Sequence, residues 1–111
     1  MSTNIIEYID VDDALKRVGG NMGLYQKLLG RFIDGNHIEE LEVFLKSGNM
    51  EEATRAAHSI KGVAANLSLQ KIRFISAELE TSLKEGTDYT NTLEELKTSY
   101  TTTVQIISDM A

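Results

Sequence analysis

Not one proline interrupts the 111 residues of this chain. Proline removes a backbone donor and clashes with the preceding helical turn, so its absence leaves helices unopposed. Leu, Ile, Glu and Lys, which lose little freedom in a helix, are abundant. Apolar residues recur at three-to-four spacing rather than in alternation. An all-α chain is expected.

The turn chemistry divides it. Asp10 can cap a short helix running to about Val18, with Asp12 and Asp13 in its first turn, and Gly19-Gly20 ends it. Residues 1 to 9 are expected to be loosely ordered, with Ile5, Ile6 and Tyr8 packing onto the bundle. Asn21 starts a second helix with a buried face of Leu24, Tyr25, Leu28, Leu29 and Phe32. Ile38, Leu41 and Leu45 continue the pattern about one residue out of phase, so Asp34-Gly35-Asn36 marks a kink or a break. Asn49, with Glu52 three residues on, resembles a capping box opening a helix over about 50–66. After the short Leu67-Ser68 connection, Leu69, Ile72, Ile75, Leu79 and Leu83 share one face of a helix ending near 85. Asp88 caps the last helix, where Tyr89, Leu93, Leu96, Tyr100, Val104 and Ile107 repeat. The expected architecture is an antiparallel up-down-up-down four-helix bundle with a short extra N-terminal helix, as one domain over residues 1–111.

Composition removes several functions. There is no cysteine, hence no disulfide framework and no thiol nucleophile. Seventeen acidic against eleven basic residues give a net charge of −6, which argues against nucleic acid as a partner. The N-terminal residues lack the basic start and apolar run of a signal peptide, and no apolar segment approaches the ~20 residues that span a bilayer. A soluble, cytoplasmic protein without membrane contact is expected.

The stretch Ala57–Leu67 carries the chemistry. At about 100° per residue, Ala53, Ala56, Ala57, Ile60, Val63, Ala64 and Leu67 form an apolar stripe. His58 lies far from that stripe, with Lys61 and Gly62 beside it and Ala65 one turn further. An ordinary imidazole, with a pKa of about 6.5, is mostly neutral at pH 7 and has a ring nitrogen free to attack phosphorus. Lys61 could offset the charge of a phosphoryl group there. A helix-interior glycine costs roughly 1 kcal/mol relative to alanine, and access to His58 is a reason for Gly62.

His58-Ser59-Ile60-Lys61-Gly62, with Ala57 before it and Ala64, Ala65 and Leu67 after it, resembles the histidine-containing phosphotransfer (HPt) family. The similarity continues through Ile72 and Leu79-Glu80, and upstream through Ala14-Leu15, Gly19-Gly20, Leu24-Tyr25, Leu28 and Phe32, covering roughly residues 10 to 85. The family usually has glycine ten residues after the histidine, where this chain has Ser68.

The resemblance favours one continuous helix from 21 to about 46, bent near Gly35, with a true break as the alternative. It implies a phosphorelay intermediate: His58 accepts a phosphoryl group from a receiver-domain aspartate and passes it to a second receiver. Glu80, flanking its helix in line with Arg73, Ala77 and Lys84, would in some family members hydrogen-bond the other ring nitrogen, against the plainer reading of a solvent-facing carboxylate. No cofactor is expected on this chain; a divalent metal is expected in the receiver. A monomer is expected, with receiver domains of response regulators or hybrid kinases as partners. No ATP-binding or kinase motif is present, so the chain is expected to accept and donate phosphoryl groups rather than take them from ATP. The alternatives are a non-catalytic helical module that binds a receiver, and a metal-binding bundle, for which the two histidines supply no Glu-x-x-His sets.

Arg55, Lys61, Lys71 and Arg73 flank His58 in sequence and form either a positive patch or plain solvated surface. His37 lacks a Lys-Gly companion and is expected to be structural. Phe74 is expected to reach under the bend of the long helix rather than to be exposed for docking.

Overall fold

The computed structural model describes residues 5–110, and every regular element among them is helical. The helices are α1 (Ile5–Tyr8), α2 (Val11–Arg17), α3 (Met22–Asp34), α4 (His37–Lys46), α5 (Met50–Asn66), α6 (Gln70–Glu85) and α7 (Thr90–Met110). Side-chain caps set several starts. Asp10 Oδ1 accepts from Asp13 N at 3.1 Å, Asn21 Oδ1 from Leu24 N at 3.0 Å, and Asn49 Oδ1 from Glu52 N at 3.3 Å. Each satisfies a donor that the first turn would otherwise leave orphaned. The Asn49 cap is half a capping box, because the Glu52 carboxylate accepts from Arg55 instead.

The expected helix from 21 to 46 is two helices. Asn36 takes a left-handed backbone, φ 56°, and ends α3 and starts α4 with no side-chain cap of its own. Asparagine tolerates this region better than most residues. The break restores the register that the phase slip required: Tyr25, Leu29 and Phe32 on one side and Ile38, Leu41 and Leu45 on the other are all buried. Leu24, expected on the buried face, is exposed.

The N-terminal expectation also needs correction, for residues 5–9; residues 1–4 lie outside the described ones. Ile5 and Ile6 are exposed, Tyr8 packs half-buried against the core as expected, and the fully buried anchor is Ile9. Asp10 N donates to Ser68 O at 3.0 Å and Lys71 pairs with Glu7 at 2.9 Å, so this segment is tied to the turn between α5 and α6.

Consecutive helices α4 to α7 pack against one another in chain order, α5 against α6 most extensively. Ala53, Ala57 and Ala64 are fully buried on α5, and their small side chains let α6 approach closely. The facing side of α6 is Ile72, Ile75, Leu79 and Leu83, as expected. Burying a side chain of this size contributes roughly 1.5–3 kcal/mol. Tyr25 OH donates to Leu67 O at 2.8 Å and satisfies a carbonyl at the end of α5. Burial, then the Asp10 charge, pushes that phenol up to about 12.

On α7 the buried residues are Leu96, Ser99, Thr103 and Ile106, so the face is turned about one position from the expected one. Tyr100 and Ile107 are half-buried at its edge, and Tyr100 OH reaches Ile33 O at 3.2 Å. The buried Ser99 hydroxyl donates to Leu96 O at 3.0 Å. No helix among the described residues is long and apolar enough to cross a membrane.

Candidate functional site

α5 buries its alanine stripe and so turns the opposite face outward. His58 stands on that face, its side chain 64% exposed. Its neighbour from α6 is the reverse: the Glu80 side chain is only 7% exposed. Glu80 Oε2 lies 2.9 Å from His58 Nδ1, and Oε1 lies 2.7 Å from Lys61 Nζ. A third donor, Lys84 Nζ, sits 3.1 Å from Oε2.

This arrangement determines protonation. Burial pushes the Glu80 carboxyl up, but the hydrogen bonds from Lys61, Lys84 and His58 together outweigh it and hold it at about 2. An ionised carboxylate is acceptor-only, so the contact with His58 needs the proton on Nδ1. In a neutral ring Nε2 then carries the free lone pair.

The surroundings of the ring are open. A Cβ built on Gly62 would meet nothing within 4 Å, so packing between helices does not account for this glycine. Ala65, one turn on, is half-buried and adds no bulk. Thr54, one turn before, bonds its hydroxyl back to Met50 O at 2.7 Å.

The sequence-derived candidates His58, Lys61, Gly62, Ala65 and Glu80 thus share one surface. Lys84 was not among them; the signal was its place four residues after Glu80, one helical turn away. The four cations expected around His58 do not form one patch. Arg55 pairs with Glu51 and Glu52, Lys71 with Glu7 and Lys61 with Glu80, which leaves Arg73 hydrogen-bonded to Gln70. Phe74 does not reach under α3 or α4: it is 56% exposed, with the Arg73 guanidinium 4.4 Å from its ring centroid.

His37 lies elsewhere, half-buried at the start of α4. Its ring stacks on Phe32 at 5.1 Å and 21°. No group of three or more His, Asp or Glu able to hold a metal ion occurs among the described residues.

A family model described as Hpt domain matches residues 28–105. No curated protein and no solved structure accompanies it as a match. The matched region holds His58, Lys61, Gly62, Ala65, Glu80 and Lys84; it begins after Gly19-Gly20 and extends through most of α7. Hpt domains are helical bundles that take part in histidine phosphotransfer in two-component phosphorelays and interact with receiver domains. Covering more than half of the chain and all of the surface around His58, the match makes this protein a member of the Hpt domain family.

Proposed function

We propose that this chain is a phosphorelay intermediate in which His58 Nε2 takes a phosphoryl group from a receiver aspartate and returns it to the aspartate of another receiver. The observation that supports this reading is the 2.9 Å contact of His58 Nδ1 with a buried, ionised Glu80, which in a neutral ring puts the proton on Nδ1 and the free lone pair on Nε2 of a side chain that is 64% exposed.

In the forward step the Nε2 lone pair forms a bond to phosphorus while the bond from phosphorus to the aspartyl oxygen breaks. The aspartate leaves as a carboxylate. Nδ1 keeps its proton, so the phosphorylated ring carries positive charge, and the Glu80 carboxylate at 2.9 Å offsets it. Lys61 and Lys84 already lie within bonding distance of Glu80 and supply positive charge beside the phosphoryl oxygens. Gly62 leaves room for the receiver's acidic pocket to close over His58. A divalent ion in that pocket would neutralise the transferring group; this chain contributes the oriented nucleophile. The reverse step uses the same contacts, as a carrier between two partners requires.

The test is transfer from radiolabelled, phosphorylated receivers of the source organism. Wild type should gain an acid-labile, base-stable label and His58→Gln none. Label on His58→Gln, or binding of receivers without any label on wild type, contradicts the reading.

A further inference from the structure

The outer face of α5 differs on the two sides of His58, and the difference gives docking a direction. Towards the N-terminus of α5 stand Glu51 and Glu52, with Arg55 bonded to both at 3.1 and 2.9 Å. That end is acidic, and its one cation is occupied. Towards the C-terminus stand Gly62, Ala65 and Asn66, a small and uncharged saddle.

Two arginines border the saddle. Arg31 of α3 lines a groove of about 390 Å³ together with Leu28, Val63 and Asn66. Arg73 of α6 lies two helical turns before Glu80. Because α6 runs back along α5 after the three-residue connection Leu67–Leu69, and Glu80 sits against His58 and Lys61, Arg73 comes alongside Ala65 and Asn66. Neither arginine forms an ion pair among the described residues, whereas Arg55, Lys61, Lys71 and Lys84 all do. Beside Arg73 the ring of Phe74 is exposed, with the guanidinium carbon 4.4 Å from its centroid. An arginine outside any ion pair and an exposed aromatic together are the composition of an interface anchor.

We propose that the receiver rests on this C-terminal saddle, held between Arg31 and the Arg73–Phe74 pair, and reaches His58 from that side. The proposal rests on the phosphorelay reading and adds to it the side and the residues of contact. Charge complementarity selects the occupant. A receiver's phosphorylation pocket is acidic, and in a chain of net charge −6 these two guanidiniums, outside any ion pair and bordering the surface next to His58, attract such a rim. The acidic N-terminal end of α5 repels the same rim, which fixes the orientation.

The experiment uses the full chain and the receiver that labels wild type fastest. It compares initial transfer rates, at sub-saturating receiver, for the double variant Arg31→Glu/Arg73→Glu, its milder form Arg31→Gln/Arg73→Gln, Phe74→Ala, and Lys46→Glu as a remote charge control. Far-ultraviolet circular dichroism checks that each stays helical. The double reversal should slow transfer about tenfold or more at low salt, with the gap to wild type closing as salt rises. The glutamine pair should show a smaller loss in the same direction. Phe74→Ala should slow transfer about fivefold to tenfold with little salt dependence. Lys46→Glu should transfer as wild type does. Wild-type rates in the glutamine pair and in Phe74→Ala, with His58→Gln inert, would overturn the docking model and leave the relay reading standing. An equal loss in Lys46→Glu would overturn it too, because charge would then act globally. If no receiver labels wild type, both readings fall.

Discussion

Each of the two histidines in this chain has a glycine close by, and the two glycines do opposite things. Beside His58, Gly62 faces open space, and nothing within 4 Å would meet an added Cβ. Beside His37, a Cβ on Gly35 would lie 2.5 Å from the ring's Nε2. The first glycine keeps a ring accessible to something outside the chain. The second makes room for a ring that the chain itself uses, stacked on Phe32 where α3 gives way to α4. Histidine alone therefore carries no functional information here. What separates the two is the bonded partner: an ionised, buried Glu80 for one, an aromatic face for the other.

Substituting the glycines should pull these roles apart. Gly62→Gln should slow phosphotransfer by about a hundredfold, since a side chain would stand where the receiver must close. The helix itself should gain up to about 1 kcal/mol, and Gly62→Ala should show that gain with little loss of transfer. Gly35→Ala should do the reverse, displacing His37 from Phe32 at a cost of about 1 kcal/mol, with only a small loss of transfer through the groove that His37 shares with Arg31. Urea unfolding and transfer rates on the same samples check both. Equal transfer by wild type and Gly62→Gln would remove access as the reason for this glycine.

Glu80→Gln sharpens the comparison at the level of charge. A neutral amide can neither offset a charged ring nor hold two lysines, so transfer should slow by about tenfold or more. Stability should carry a pH signature. The Glu80 carboxyl is depressed from 4.5 to about 2 in the folded chain, so its stabilising contribution is complete above about pH 4.5 and is lost as pH falls towards 2. The stability gap between wild type and Glu80→Gln should therefore narrow by on the order of 3 kcal/mol over that interval. A gap that stays constant would mean Glu80 is not held as an ion. Lys61→Ala should slow transfer by about tenfold while the bundle stays folded, because Lys84 still pairs with the carboxylate at 3.1 Å.

The smallest effect concerns a second contrast, between Asn36 and Ser68. Both sit in the left-handed region at φ 56°, the two non-glycine residues there among those described. Asn36 is exposed, and its residue type tolerates the angle. Ser68 is buried, and its hydroxyl donates to Asp13 Oδ2 at 2.6 Å, which with Arg17 holds that carboxyl below its usual range. Ser68→Gly relieves the backbone and loses the bond, so it should lie within about 1 kcal/mol of wild type. Ser68→Ala loses the bond and keeps the strain, and should be the less stable of the two.

That contrast also shows what the sequence could disclose. The site was legible because its parts follow local rules: His58, Lys61 and Gly62 share a helix face by spacing, and caps at Asp10, Asn21 and Asn49 follow from residue type. Glu80 was reachable through the family pattern. Lys84 obeys the same one-turn spacing but carries no motif. The break at Asn36 was visible as a phase slip, yet the preference for one continuous helix hid it. Ser68 depends on Asp13, fifty-five residues away, and no local rule connects them. The buried face of α7 was misplaced because Ser99 and Thr103 read as polar, although both are buried in the fold.

The most direct test of the central claim is which atom of which ring carries phosphorus. Long-range proton–nitrogen NMR of the protein, phosphorylated by a labelled receiver, resolves the tautomer and the substituted nitrogen of both histidines. The predicted result is phosphorus on Nε2 of His58, with Nδ1 still protonated against Glu80 and His37 unchanged. Phosphorus on Nδ1 of His58, or on either nitrogen of His37, would contradict it.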